Sequence, residues 1–170
     1  ANIQKACREA DCEYVRCLRE KEEEDGGIGM KVFASVREAA AFLKDTEGNI
    51  LIATGTKELK EYRQIPDFEK RCYARVLSTV SSVEQAAALG FEGKHLIAMQ
   101  GPFSKEMNIA LLRQVKAAYF VTKESGRAGG FQEKRQAAEE TGTKLVVIGR
   151  PREKGKNLAE VLAYLEQVSD

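Results

Sequence analysis

Four short apolar runs constrain the fold most: ILIATG (50–55), HLIAMQG (95–101), AAYFVTK (117–123) and KLVVIG (144–149). Each is close to continuous in apolar residues, the pattern of a strand buried on both faces. Helical patterns separate them: 108–115, then 131–141 closed by Gly142, then an amphipathic stretch at 158–168. Upstream, ANIQKACREA reads as a helix and EYVRCLR (13–19) as a strand. The acidic run 20–25 reads as a solvated loop, and KVFA (31–34) as a short strand. Ser35-Val-Arg-Glu38 is a capping box, which opens a helix running to about Asp45. A short helical pattern follows at 57–62, then the strand RCYARVLS (71–78). A helix from Ser81 through Leu89 is ended by Gly90. Strands alternating with helices specify an α/β protein with a mostly parallel sheet wrapped by helices. A soft boundary falls near residues 78–82.

With 170 residues, 43% of them hydrophobic, the chain holds enough apolar mass for a substantial core. A net charge of +1 provides no bulk field for nucleic acid, so an anionic ligand needs a local cation cluster. No apolar run approaches the roughly 20 residues that span a bilayer, and no signal-peptide pattern opens the chain. The expected setting is the cytoplasm, without a membrane partner. Cys7, Cys12 and Cys17 step by five residues, which on a helix does not place them on one face. With no C-x-x-C pair and one histidine, the four cysteines read as reduced, packed thiols and not as a metal site.

In open parallel sheets, ligands bind beyond the carboxyl ends of the strands. Four such ends carry unusual residues: Thr54-Gly55-Thr56-Lys57, Gln100-Gly101-Pro102-Phe103-Ser104, the stretch from Thr122 to Gly130, and Arg150-Pro151. Glycine loops entering helix N-termini present free backbone N–H groups near the positive end of a helix dipole, a combination that binds phosphate. Hydroxyls at Thr54, Thr56, Ser104, Thr122 and Ser125 add donors, and Lys123 and Arg127 add charge. A strand–helix turn also needs glycine for its geometry alone. Neither the G-x-G-x-x-G nor the Walker pattern occurs, so the coincidence of several loops on one edge carries the nucleotide reading. Lys123 reads as an anion-reaching lysine before a Schiff-base one, and His95 as a packed strand-start histidine before a catalyst. Asn108 reads as a residue that orders the loop before it. Lys134, one turn past Gly130, faces either the same site or solvent.

MQGPFS (99–104), Asn108, VTKESGRAGGFQEK (121–134) and IGRP (148–151) together resemble the C-terminal half of the precorrin-6A reductase family, which includes the cobalt-precorrin-6A reductases of cobalamin synthesis. ILIATGTKEL (50–59) and RCYARVL (71–77) are similar to its middle section, and NIQKAC with YVRCLR to its late N-terminal section. The resemblance implies two Rossmann-like lobes, here residues 1–80 and 81–170, with mostly parallel sheets. The family's opening strand, its Gly-Gly-Thr type turn and its Asp-Ala-Thr-His-Pro type segment are not in this sequence. The N-terminal lobe is therefore expected to be incomplete and the chain a fragment.

The implied activity is NADPH-dependent reduction of a ring double bond in a tetrapyrrole, precorrin-6A or its cobalt form. The implied cofactor-binding residues are Thr54, Gly55, Gln100, Gly101, Pro102, Phe103, Ser104, Thr122, Lys123, Ser125, Gly126, Gly129 and Gly130. Lys123, Arg127 and Arg150 would meet substrate carboxylates. The alternative reading is a non-catalytic nucleotide- or anion-binding module of Rossmann-like fold.

Overall fold

The computed structural model describes residues 2–18, 29–124, 130–149 and 155–168. By internal packing the chain divides into two compact units: Gly26–Arg150, and Ala1–Asp25 together with Pro151–Asp170.

The larger unit is one six-stranded sheet with every pairing parallel. Its strands are β1 (Met30–Phe33), β2 (Asn49–Ala53), β3 (Cys72–Val76), β4 (Leu96–Ala98), β5 (Ala117–Lys123) and β6 (Lys144–Ile148), in the order β1-β6-β5-β2-β3-β4. The apolar runs bury both faces by strict alternation. Ile50, Ile52, Cys72, Ala74, Val76, Val121, Val146 and Ile148 pack into one cluster with α2 (Val36–Lys44) and Leu59 and Tyr62 of a 3-10 turn. Leu51, Tyr73, Phe120, Leu145 and Val147 pack on the other face, against α5 (Lys105–Gln114) and α6 (Phe131–Thr141). This is the three-layer architecture expected from the sequence. The expected division near residue 80 runs through this unit, because β2 and β3 before it share one sheet with β4, β5 and β6 after it.

The short-range signals translate into specific bonds. Ser35 Oγ accepts from Glu38 N at 3.2 Å, and the Glu38 carboxylate accepts from Ala34 N at 3.2 Å, so the capping box starts α2. A short helix, α3, covers Phe68–Arg71. The next helix, α4 (Val80–Ala87), starts earlier than Ser81: Thr79 is its cap, with Oγ1 accepting from Ser82 N. The helical pattern at 57–62 becomes the 3-10 turn Leu59–Gln64. HLIAMQG yields only the three-residue β4, partly buried and ending in an exposed alanine, because it is the outer strand of the sheet.

The second unit contains α1 (Asn2–Glu9) and α7 (Leu158–Val168). EYVRCLR does not form the expected strand. It makes one parallel bridge, Cys17 to Lys156, through Leu18 N to Lys156 O at 2.8 Å and Lys156 N to Arg16 O at 2.9 Å. Gly155 permits that approach, since a methyl group on it would lie 2.7 Å from Arg16 O. Tyr164 donates to the Glu13 carboxylate in the same unit. The acidic run 20–25 lies outside the described residues. The cysteines divide: Cys72 is buried, its thiol pushed up to about 12 by burial, whereas Cys12 and Cys17 are exposed and Cys7 is half-buried. The expectation of packed thiols therefore fails for Cys12 and Cys17. Among the described residues no helix is long and apolar enough to cross a membrane.

Candidate functional site

The strand order contains a topological switch point. From β2 the chain steps outward to β3 and β4, then returns to β5 on the other side of β2 and continues to β6 in the opposite direction. The carboxyl ends of β2 and β5 flank that reversal, where parallel sheets leave a crevice. A cleft of about 370 Å³ opens at this edge of the sheet. It is lined by Ala53 and Gly55 after β2, Arg75 to Leu77 at the end of β3, Met99 to Phe103 after β4, and Gly130 and Lys134 at the start of α6.

Three of the predicted loops thus meet in one place. Met99 N donates to Val76 O at 2.9 Å, which carries the β3–β4 pairing one residue past β4, up to the Gln100–Ser104 loop. Ser104 caps α5, its Oγ accepting from Met107 N at 3.2 Å. Gly101 lies so close to the Phe103 ring that a methyl group on it would sit 3.0 Å away. Gly130 adopts φ +64° as the cap of α6 and sits against Phe103 O. Gly55, at φ +80°, has open space where a side chain would stand.

The charge in the cleft comes from Arg75, which the loop patterns did not single out, and from Lys134, which they placed either here or in solvent. Arg75 is 5% exposed and points to the α5–α6 side of the sheet. Its Nη1 donates to Asn108 Oδ1 at 2.8 Å, and its guanidinium lies 4.2 Å over the Phe103 ring. Among the described residues no carboxylate forms an ion pair with Arg75. Burial lowers it to about 10, so it stays charged at neutral pH. Lys134 is lowered to about 8, first by burial and then by the Arg75 charge, with Glu133 opposing. Asn108, fully buried, completes the arrangement: its Nδ2 donates to Ser104 O at 2.8 Å while its Oδ1 holds Arg75. It orders the loop, as its sequence position implied.

The other predicted positions divide by place. Gly55, Gln100, Gly101, Pro102, Phe103 and Gly130 line the cleft. Thr54 is buried behind it, its hydroxyl 3.2 Å from that of Tyr62. Thr122 is 0% exposed and directs its hydroxyl to Lys123 O. Lys123 is half-exposed at the end of β5 and forms an ion pair with Glu58 at 2.9 Å. Ser125, Gly126, Arg127, Gly129 and Arg150 lie outside the described residues. His95 is at the opposite edge, stacked on Tyr73 with Nδ1 3.1 Å from Cys72 O, a packed histidine. The missed residue is Arg75. Its signal in the sequence is one arginine inside RCYARVLS, at a position whose strand neighbours are apolar.

The family described as Precorrin-6x reductase CbiJ/CobK matches residues 1–166. The chain belongs to this family. A cobalt-precorrin-6A reductase of Methanothermobacter thermautotrophicus is 39% identical over 150 residues, covering 88% of this chain and 49% of that protein. One from Priestia megaterium is 37% identical over 125 residues, covering 72% and 49%. The chain spans about half the length of the curated relatives it matches. A solved structure, a CobK precorrin-6A reductase, superposes with a TM-score of 0.66 at 21% identity, over 98% of this chain and 67% of its own. That likeness establishes a shared fold. A buried arginine with no carboxylate ion pair among the described residues, a lysine lining the same cleft, and Gly55, with open space where a side chain would stand, are brought together here.

Proposed function

We propose that the chain carries the ligand-binding cleft of an NADPH-dependent reductase that acts, in the cytoplasm, on a ring double bond of precorrin-6A or cobalt-precorrin-6A. One observation carries this reading: a buried arginine, without an acidic partner among the described residues, opens onto a glycine-rimmed cleft at the sheet's switch point. Family membership supplies the reaction class. When bound, the cofactor supplies the hydride, and the protein's task is to hold two rings face to face. Gly55, the loop 100–103 and Gly130 offer backbone close enough for a nucleotide to lie against. Buried Arg75 and partly buried Lys134 supply positive charge, which counts for more away from bulk water than on the surface. Phe103 excludes water and fixes the plane of the arginine. Thr54, Ser104 and Thr122 support these loops from behind. In the wider proposal, Ser125, Gly126 and Gly129 contribute backbone to the cofactor, and Lys123, Arg127 and Arg150 meet substrate carboxylates.

The test is an anaerobic assay of this chain with precorrin-6A and with its cobalt form, NADPH set against NADH. Oxidation of NADPH coupled to loss of substrate is the expected result. A second reading stands beside it. Under it the chain is a nucleotide-binding module that binds NADPH without turnover. Binding of neither nucleotide contradicts both readings.

A further inference from the structure

We propose that Cys7 and Cys12 form a reversible dithiol–disulfide pair that locks the carboxyl end of α1, with a small-molecule disulfide as the co-reactant. The pair belongs to the unit made of Ala1–Asp25 and Pro151–Asp170, and its chemistry does not depend on what the cleft binds.

A five-residue spacing separates two side chains only while a helix continues. Here α1 ends at Glu9 and the chain turns back on itself. Ala10 N donates to Ala6 O at 2.9 Å, Asp11 takes the left-handed conformation at φ +49°, and Cys12 N donates to Cys7 O at 2.9 Å. This is the Schellman arrangement, in which the residue two past the cap bonds back to a carbonyl of the last turn and the two side chains meet. Standard bond lengths on either side of that hydrogen bond keep the two Cα atoms within about 7 Å, a span that a disulfide can close. Burial, and then interaction with the Cys12 side chain, hold the Cys7 thiol above the usual thiol range, so the two sulfurs act on each other. The other cysteines are placed differently. Cys17 is exposed and directs its thiol to Leu18 O at 3.9 Å, and Cys72 is buried on β3 in the other unit.

Exposure sets the order of the steps. Cys12 is exposed and Cys7 half-buried, so a reagent in solution meets Cys12 first. The Cys12 thiolate attacks one sulfur of the small disulfide, forming a mixed disulfide and releasing one small thiolate. The Cys7 thiolate then attacks the Cys12 sulfur, which forms the Cys7–Cys12 bond and expels the second small thiolate. The two cysteines lose two protons and two electrons, and the small disulfide becomes two thiols. The structural consequence falls on α1. It has eight residues, short of the roughly 12–15 at which a helix holds by itself, so its last turn depends on the cap. The disulfide adds a covalent tie to the hydrogen bond that closes this turn.

The experiment equilibrates the chain, folded and in urea, in glutathione buffers of rising oxidised fraction, followed by alkylation and digestion with trypsin. Cleavage after Arg8 separates the two cysteines, so the disulfide joins residues 6–8 to residues 9–16, a product that no other pairing gives. The folded chain is expected to form it with an exchange constant about 10-fold or more above that of the unfolded chain, about 30 mV for a two-electron couple. Cys7→Ser is expected to stop at the mixed disulfide on Cys12, and Cys17→Ser to leave the pair unchanged. Hydrogen exchange of the Cys12 amide is expected to slow about 10-fold on oxidation. Four results overturn the proposal: a native chain that stays reduced or stops at the mixed disulfide, a bond from Cys17 to either cysteine, a pair formed no more readily folded than unfolded, or Cys12 amide exchange unchanged by oxidation.

Discussion

Lys123 Nζ lies 2.9 Å from Glu58 Oε2, joining the end of β5 to the turn after β2 across the point where the sheet reverses direction. Both side chains are a little under half exposed, so the pair is screened and contributes at most about 1 kcal/mol to stability. Lys123→Ala is therefore expected to change the urea midpoint little while weakening binding of NADPH or the tetrapyrrole. Glu58→Gln, which releases the lysine, is expected to tighten the same ligand a few-fold. Calorimetric titration beside urea unfolding checks both. A lowered midpoint with unchanged affinity makes the pair structural.

Asn108→Ala is expected to be far more costly. It removes the acceptor of a buried cation and the donor to Ser104 O together. Leaving groups of this kind unsatisfied costs about 1–3 kcal/mol each, so the loss should reach about 3 kcal/mol. Urea unfolding measures it, and a loss below about 1 kcal/mol contradicts the role of Asn108 in joining Arg75 to the Ser104 loop.

Two glycines give a paired test of packing against backbone strain. Gly48 has φ +90°, and a methyl group on it would meet Ala118 Cβ at 2.6 Å. Gly142, the cap of α6, has φ +69° and nothing within 4 Å. Gly142→Ala is expected to cost about 1 kcal/mol through the left-handed conformation alone. Gly48→Ala adds a clash with backbone-anchored atoms and should cost about 3 kcal/mol or fail to fold. Equal melting temperatures for the two variants contradict the packing around the start of β2.

The pH dependence of anion binding follows from Lys134. Held at about 8 in the folded chain, it loses its proton as pH rises through that value, while Arg75, at about 10, keeps its charge. Pyrophosphate affinity is expected to fall between pH 7 and about 9, and Lys134→Met to flatten the curve. The stability contribution runs the other way. An unfolded lysine holds its proton to about 10.5, so between about 8 and 10.5 the unfolded chain binds more protons, and this group adds stability as pH rises.

The sheet was legible because its strands are buried on both faces, and continuous apolar runs such as ILIATG and AAYFVTK have few other uses. The loops were legible because glycine after a buried strand marks the sheet's carboxyl edge. Arg75 was not: alternation puts every second residue of β3 on the α5–α6 face, and only the tertiary contact with Asn108 shows that this one faces a cleft. The Lys123–Glu58 pair spans 65 residues, a pairing that local pattern does not encode. EYVRCLR has strand composition, but a strand needs a neighbour along its length, and among the described residues its ladder is one bridge to Lys156. HLIAMQG looked central because composition does not report sheet order.

The central claim is that the cleft beyond β2, β3 and β4 holds the nicotinamide nucleotide. Amide chemical-shift mapping during an NADPH titration tests it most directly. The perturbed amides are expected to cluster at Gly55, Leu77, Gln100, Gly101, Phe103, Gly130 and Lys134. Shifts centred instead on Gly29, Gly142, Thr143 and Leu145, which line a cavity of about 400 Å³ at the start of β1 and β6, would contradict it, as would no shift at saturating NADPH.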